Sequence, residues 1–144
     1  MRSDDRSRQL VARAYPPSPE AALRVLFIGP DAGDAARAAR ALRLGRHAAT
    51  VLHAATAADA RADLAEGDVD AVLVDLRALA VLDDLRRTVA RAAWLPCIVL
   101  LDEDDVVDLA QAVSTGAAGF YYKQQLSPIL LQRTLRQAVQ EMPV

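Results

Sequence analysis

The chain has 144 residues, 53% hydrophobic and 25% charged, enough for one packed core, too few for two, and too apolar for a disordered segment. Lys plus Arg number 17 against 19 Asp plus Glu, a formal net charge of −2, which argues against the basic face of a nucleic-acid binder. A single cysteine, Cys97, excludes an internal disulfide and suits a reducing compartment. No apolar run approaches the roughly 18 residues of a membrane span, and the polar start Met-Arg-Ser-Asp-Asp-Arg is unlike a secretory signal, so a cytoplasmic protein is expected.

In chain order, Met1–Tyr15 is polar, with a short helix expected from Ser3, whose hydroxyl is a cap. Pro16-Pro17-Ser18-Pro19 breaks it, which sets an N-terminal extension over 1–21 and a folded domain over 22–144. Arg24–Ile28 (RVLFI) reads as a strand ended by Gly29-Pro30, and Asp34–Leu44 as a helix stopped by Gly45. Ala49–Ala54 is a second strand and Thr56–Glu66 a second helix, with Thr56 and Asp59 imitating a capping box and Gly67 at its end. Then comes Val69-Asp70-Ala71-Val72-Leu73-Val74-Asp75-Leu76. Its apolar run Ala71–Val74 predicts a strand buried on both faces, of the parallel-sheet kind. A third helix falls within Leu79–Ala93.

Pro96 opens a fourth strand, Cys97–Leu101 (CIVLL), and the acidic loop Asp102-Glu103-Asp104-Asp105 leads into a helix over Val106–Ser114, closed by Gly116. Gly119–Tyr122 (GFYY) is a fifth strand, and Ser127-Pro128 opens a last helix to about Glu141. No internal repeat interrupts the pattern. Five strands alternating with five helices predict an α/β fold, a parallel sheet covered on both faces by right-handed crossovers. In such sheets, ligands and chemistry sit beyond the carboxyl ends of the strands. Asp75 stands there.

Asp75 after the third strand, Lys123 after the fifth, and Ala-Ala-Gly-Phe-Tyr-Tyr-Lys over residues 117–123 resemble the receiver domain of bacterial response regulators, over about residues 24–141. The resemblance implies a flavodoxin-like (βα)5 doubly wound fold with strand order 2-1-3-4-5. It also implies phosphoryl transfer onto Asp75, a divalent cation (usually Mg²⁺) held by carboxylates, and a contact from Lys123. The chain departs from the family at several positions. Gly29 and Pro30 replace the acidic pair that follows the first strand, and Asp31 arrives one residue late. Leu101 takes the place of a Ser or Thr hydroxyl, and Gln124 that of the proline after the lysine. Leu76-Arg77-Ala78-Leu79 lacks the usual Pro and Gly and reads two or three residues short.

These departures favour a pseudo-receiver. Mg²⁺ in such a site needs more than one carboxylate, and an aspartyl phosphate of about two negative charges would face Lys123 alone. Losing one preorganised donor costs roughly 10²–10³ in rate in other enzymes, and here cation and hydroxyl are both missing. The expectation is therefore a non-enzymatic module without a cofactor, in which Asp75 pairs with Lys123. The alternative is a phosphoacceptor receiver with Asp75 phosphorylated and a rearranged cation site, where Asp31 and Asp102 join Asp75 around a displaced Mg²⁺. Against that rescue, Asp31 or Asp34 can cap the first helix and Asp102 or Asp104 the fourth.

Among single residues, His47 and His53 lack metal-ligand spacing, and Cys97 reads as a buried, inert thiol. Trp94 is expected to be a partly buried anchor. Phe120 stands at the family's switch aromatic and, with Leu101 beside it, is expected in one rotamer. Tyr121 and Tyr122 should point to opposite faces of the sheet.

Without chemistry, function falls to surfaces. The resemblance implies a face made by the fourth helix (Val106–Ser114), the fifth strand (Phe120–Tyr122) and the last helix (Ser127–Glu141), which dimerises or contacts a protein partner. That partner is a histidine kinase or an attached sensor or output module, such as a diguanylate cyclase or kinase, and the chain reads as the regulatory part of a longer protein. In the last helix, Leu131, Leu135 and Val139 form one stripe facing the sheet. A small-ligand sensor using the strand-end crevice, or an unrelated flavodoxin-like protein, remains as another class. The loop Gly29-Pro30-Asp31-Ala32-Gly33 is a poor phosphate cradle, because its proline lacks a donor and its aspartate repels the anion.

Overall fold

The computed structural model describes residues 23–44, 49–66, 68–106 and 116–140. Three short apolar segments form the middle of the sheet: β1 (Leu23–Ile28), β3 (Ala71–Asp75) and β4 (Cys97–Leu101). Every residue of β3 and β4 is buried, as is all of β1 except Arg24. Such uninterrupted apolar strands are stable only with helices on both faces. The flanking strands, β2 (Ala49–Ala54) and β5 (Gly119–Tyr122), are partly exposed, as befits edges. All pairings are parallel and the order is β2-β1-β3-β4-β5. This is the flavodoxin-like arrangement expected from the sequence.

Helix α1 (Ala32–Arg43) buries Ala35, Ala38 and Leu42, the two alanines letting it approach closely, and α4 (Pro128–Gln140) buries Leu131, Leu135 and Val139 beside it. Gln132 Nε2 of α4 donates to the carbonyl of Leu42 at 3.3 Å, so the two helices share a face. Helices α2 (Ala57–Ala65) and α3 (Leu79–Thr88) bury Ala60, Leu64, Leu79, Leu82 and Leu85, and Arg61 joins them by donating to Thr88 Oγ1 at 3.0 Å. At the amino end of the sheet, Asp70 accepts from the Arg24 backbone at 2.9 Å and donates its own N–H back at 2.8 Å. Arg24 Nε meets Asp68 Oδ2 at 2.9 Å. These contacts fix the stagger of β1 against β3.

The register decides what meets at the other end. Ile28 is level with Val74, which puts Gly29 beside Asp75, and Leu101 is level with Tyr122, which puts Asp102 beside Lys123. β3 runs one residue further than its apolar run, because Asp75 still pairs with Leu100. The third helix ends at Thr88, and a 3₁₀ turn, Ala90–Trp94, follows it. That turn corrects the expectation for Trp94, which is 62% exposed; its neighbour Leu95 takes the core position instead. Of the expected helix Val106–Ser114, all but exposed Val106 lies outside the described residues, as do the extension 1–21, Gly45, His47, Gly67 and Glu141. Among the described residues no helix is long and apolar enough to cross a membrane.

Candidate functional site

Lys123 opens a 3₁₀ turn, Lys123–Gln125, directly after β5, and its side chain is only 2% exposed. Its ammonium donates to Asp75 Oδ2 at 2.7 Å and to Asp34 Oδ2 at 2.8 Å, and lies 3.2 Å from Asp102 Oδ1. One buried cation thus gathers three carboxylates, from the end of β3, the first turn of α1 and the loop after β4. A second cation enters from the turn directly after β3. Asp75 caps the 3₁₀ turn Leu76–Ala78, its Oδ1 accepting the Arg77 N–H at 2.9 Å. That turn folds the Arg77 side chain back, so that Nη2 stands 3.4 Å from Asp75 Oδ2 and makes an ion pair with Asp102 Oδ2.

The electrostatics follow from this wiring. Burial disfavours the charge on Asp75, but the Lys123 ammonium, the Arg77 N–H and the two positive charges outweigh it and hold the carboxyl below the ordinary aspartate range. The Lys123 hydrogen bond, only partly opposed by desolvation, together with Arg77, does the same for Asp102. Burial opposes the charge on Lys123, yet the hydrogen bonds it donates to Asp34, Asp75 and Asp102 prevail and push it up to about 12. Arg77 is raised as well, chiefly by its hydrogen bond to Asp102. Asp75, Asp102, Lys123 and Arg77 are therefore ionised at neutral pH.

Of the residues singled out in the sequence, Asp75, Lys123 and Asp102 meet here. Asp31, considered as a cation ligand, is turned away, because its Oδ1 accepts from Gly33 N at 2.7 Å and Asp34 N at 3.2 Å and so caps α1. Asp34, one turn further on, reaches the cluster instead. The N–H of Asp102 is held by Asp105 Oδ2 at 2.8 Å; the helix that Asp102 or Asp104 was expected to cap lies outside the described residues. Leu101 is buried at the end of β4, and Phe120 is partly buried beside Val99. Tyr121 and Tyr122 diverge, the first hydrogen-bonded to Thr134 Oγ1 at 2.7 Å, the second 39% exposed. Cys97 is fully buried; burial pushes its thiol up, against the pull of Arg86, whose Nη2 is 3.0 Å from the sulfur.

Sequence reasoning passed over Asp34 and Arg77 as members of the site. The one signal for Asp34 was its spacing, a helical turn after Asp31, and that spacing does not say which of the two caps the helix. Arg77 left only its position two residues past Asp75, since what its side chain meets depends on a turn the sequence does not announce.

A divalent cation does not fit these residues as they stand. The positions of the acidic pair offer no carboxylate, and Gly29 is packed so closely that a Cβ there would lie 2.9 Å from the Phe27 ring and 3.0 Å from Asp75 Cβ. Its carbonyl already meets His53 Nε2 at 2.8 Å, and the His53 ring packs edge-on to Phe27, 5.6 Å between centroids. Asp75 Oδ2 and both oxygens of Asp102 face cations, and Asp75 Oδ1 accepts the Arg77 backbone N–H, whereas Mg²⁺ demands near-octahedral oxygen ligands.

No protein-family model matches the chain. No curated protein matches it by sequence. Solved structures do match in fold. A putative response regulator from Chloroflexus aurantiacus J-10-fl superposes with a TM-score of 0.69 at 17% identity, over 84% of this chain and 100% of its own. A response regulator receiver domain protein from Clostridium thermocellum gives 0.65 at 15% identity, over 82% and 94%. The N-terminal domain of a response regulator/sensory box/GGDEF 3-domain protein from Carboxydothermus hydrogenoformans gives 0.63 at 18% identity, over 81% and 94%. The chain has the fold of these receiver domains.

Proposed function

We propose that the protein is a cytoplasmic, receiver-type regulatory module of two-component signalling that works by protein interaction, without metal-dependent phosphoryl acceptance at Asp75 and without a cofactor. One observation carries this reading: Asp75, buried and ionised, is engaged on both oxygens by Lys123 and Arg77, in a site whose acidic-pair position is filled by the packing of Gly29 on Phe27 and Asp75. A carboxylate held by two cations is a weakened nucleophile, and with Leu101 in place of a hydroxyl the site has one fewer donor for phosphoryl oxygens.

The partner is a histidine kinase or an attached sensor or output module. The Carboxydothermus neighbour, a domain of a response regulator/sensory box/GGDEF 3-domain protein, supports an attached module. The contact surface, for such a partner or for a second copy, is the face of β5 and α4, where Tyr122, Ile129 and Leu130 are exposed. Isolated apolar residues at a surface are ordinary, but an exposed aromatic on β5 with two exposed aliphatics at the start of α4 suits a protein contact.

A titration with beryllofluoride and Mg²⁺, read by amide chemical shifts at Asp75, Leu101, Phe120 and Lys123, tests the reading, because this adduct mimics an acyl phosphate. The expected result is no saturable shift at millimolar Mg²⁺. Saturable shifts at Asp75 that spread to Phe120 would establish the second reading, a phosphoacceptor on Asp75. That reading draws support from Asp34, which brings a third carboxylate to the site.

A further inference from the structure

The cluster holds two cations, and the receiver likeness accounts for only one of them, Lys123. We infer that Arg77 is a built-in replacement for the divalent cation: its guanidinium supplies, from within the chain, the charge that holds Asp102 against Asp75, and it keeps metal ions off the three carboxylates. The inference rests on the reading proposed above and says how the site came to work without a metal.

Three observations converge on Arg77. The turn Leu76–Ala78 binds it to Asp75 at two points, the backbone N–H on Oδ1 and Nη2 towards Oδ2, so the side chain is aimed across the end of β3. The same Nη2 reaches Asp102 Oδ2, while Lys123 takes Asp102 Oδ1, and the loop after β4 is thereby clamped by one cation on each oxygen. Finally, the charges leave no room for a third cation. Asp34, Asp75 and Asp102 against Lys123 and Arg77 sum to −1, and a dication added to both would stand within a few ångströms of two like charges.

A metal ion could enter only by displacing one of the two cations, and they are not equivalent. Lys123 is 2% exposed at the floor of the cluster and touches all three carboxylates. Arg77 lies at the rim, 57% exposed, over an Asp102 that is itself 32% exposed, where an ion pair is weak and screened. Arg77 is the one that can leave. Its departure would free Asp75 Oδ2 and Asp102 Oδ2 of the same guanidinium, and take the cluster from −1 to −2.

The test uses the full chain and Mn²⁺ as the probe, read by paramagnetic broadening of amide signals, with excess Mg²⁺ as competitor. Wild type should show no selective broadening around Asp34, Asp75 and Asp102. Arg77→Ala and Arg77→Gln, two neutral variants chosen so that one misfolded protein does not decide the matter, should show it, reversibly by Mg²⁺. Their affinity should rise at least about tenfold over wild type, since a unit charge a few ångströms away is worth at least that much at protein surfaces. If both variants fold and remain as indifferent to Mn²⁺ as wild type, the inference is overturned while the proposed function stands. Selective, Mg²⁺-reversible broadening in wild type would overturn both.

Discussion

Lys123 is the residue on which most of the site depends, and its removal is the most informative single change. With Lys123 2% and Asp75 1% exposed, Lys123→Ala leaves a buried carboxylate without its closest cation, and stability should fall by about 3–5 kcal/mol in urea unfolding. Combining it with Asp75→Asn should restore part of that loss, because the stranded charge is gone. The same groups set a pH dependence. The Asp75 and Asp102 carboxyls are held below their ordinary value of 3.8, so their contribution is complete above that pH and is lost as pH falls through the folded-state values. Lys123 is raised from 10.5 to about 12, so its contribution is complete below 10.5 and is lost as pH rises towards 12. Unfolding midpoints should be flat between these limits and fall on either side. At this scale the sequence was partly legible. Asp75 and Lys123 can be read because strand ends point outward at known positions. Asp31 and Asp34 could not be ranked beforehand, because a carboxylate before a helix can satisfy either the free N–H groups or a distant cation, and only the fold shows that Asp31 does the first and Asp34 the second.

Among the elements, α1 couples local structure most directly to the site. Asp31→Ala removes the acceptor for Gly33 and Asp34 N–H and should cost roughly 0.5–2 kcal/mol in denaturant unfolding. It should also move the Lys123 side-chain signals in NMR, because the frayed turn carries Asp34. The strands were legible almost to the residue, since short apolar runs between turn signals have few other uses, and α4 was legible from Leu131, Leu135 and Val139 at helical spacing. What escaped was 3₁₀ structure. Leu76–Ala78 depends on the Asp75 carboxylate accepting a backbone N–H, and Ala90–Trp94 has an apolar pattern that suits a helix equally well. Trp94 was misjudged for the same reason. Hydrophobicity alone puts an indole inside, and the turn puts Leu95 there instead.

At the scale of the whole molecule, the fold follows from alternation and the partner surface does not, because exposure carries no periodic signature. The proposed contact face is testable without knowing the partner. Ile129→Glu and Leu130→Glu alter residues 64% and 46% exposed and should change monomer stability by no more than about 0.5 kcal/mol. If a second copy is the occupant, sedimentation velocity should show a wild-type dimer that these changes convert to monomer. The Lys123 cluster also bears on how the domain is assembled. Lys123 and Asp34 are 89 residues apart, and Lys123 and Asp75 are 48 apart. While the chain emerges from the ribosome, strands β1, β3 and β4 can bring their acidic ends together before the ammonium exists, with Arg77 alone to offset three negative charges. Loop closure over such separations is costly until the contact that rewards it has formed. The last strand to be synthesised therefore brings the second cation to a cluster that the earlier strands leave at −2.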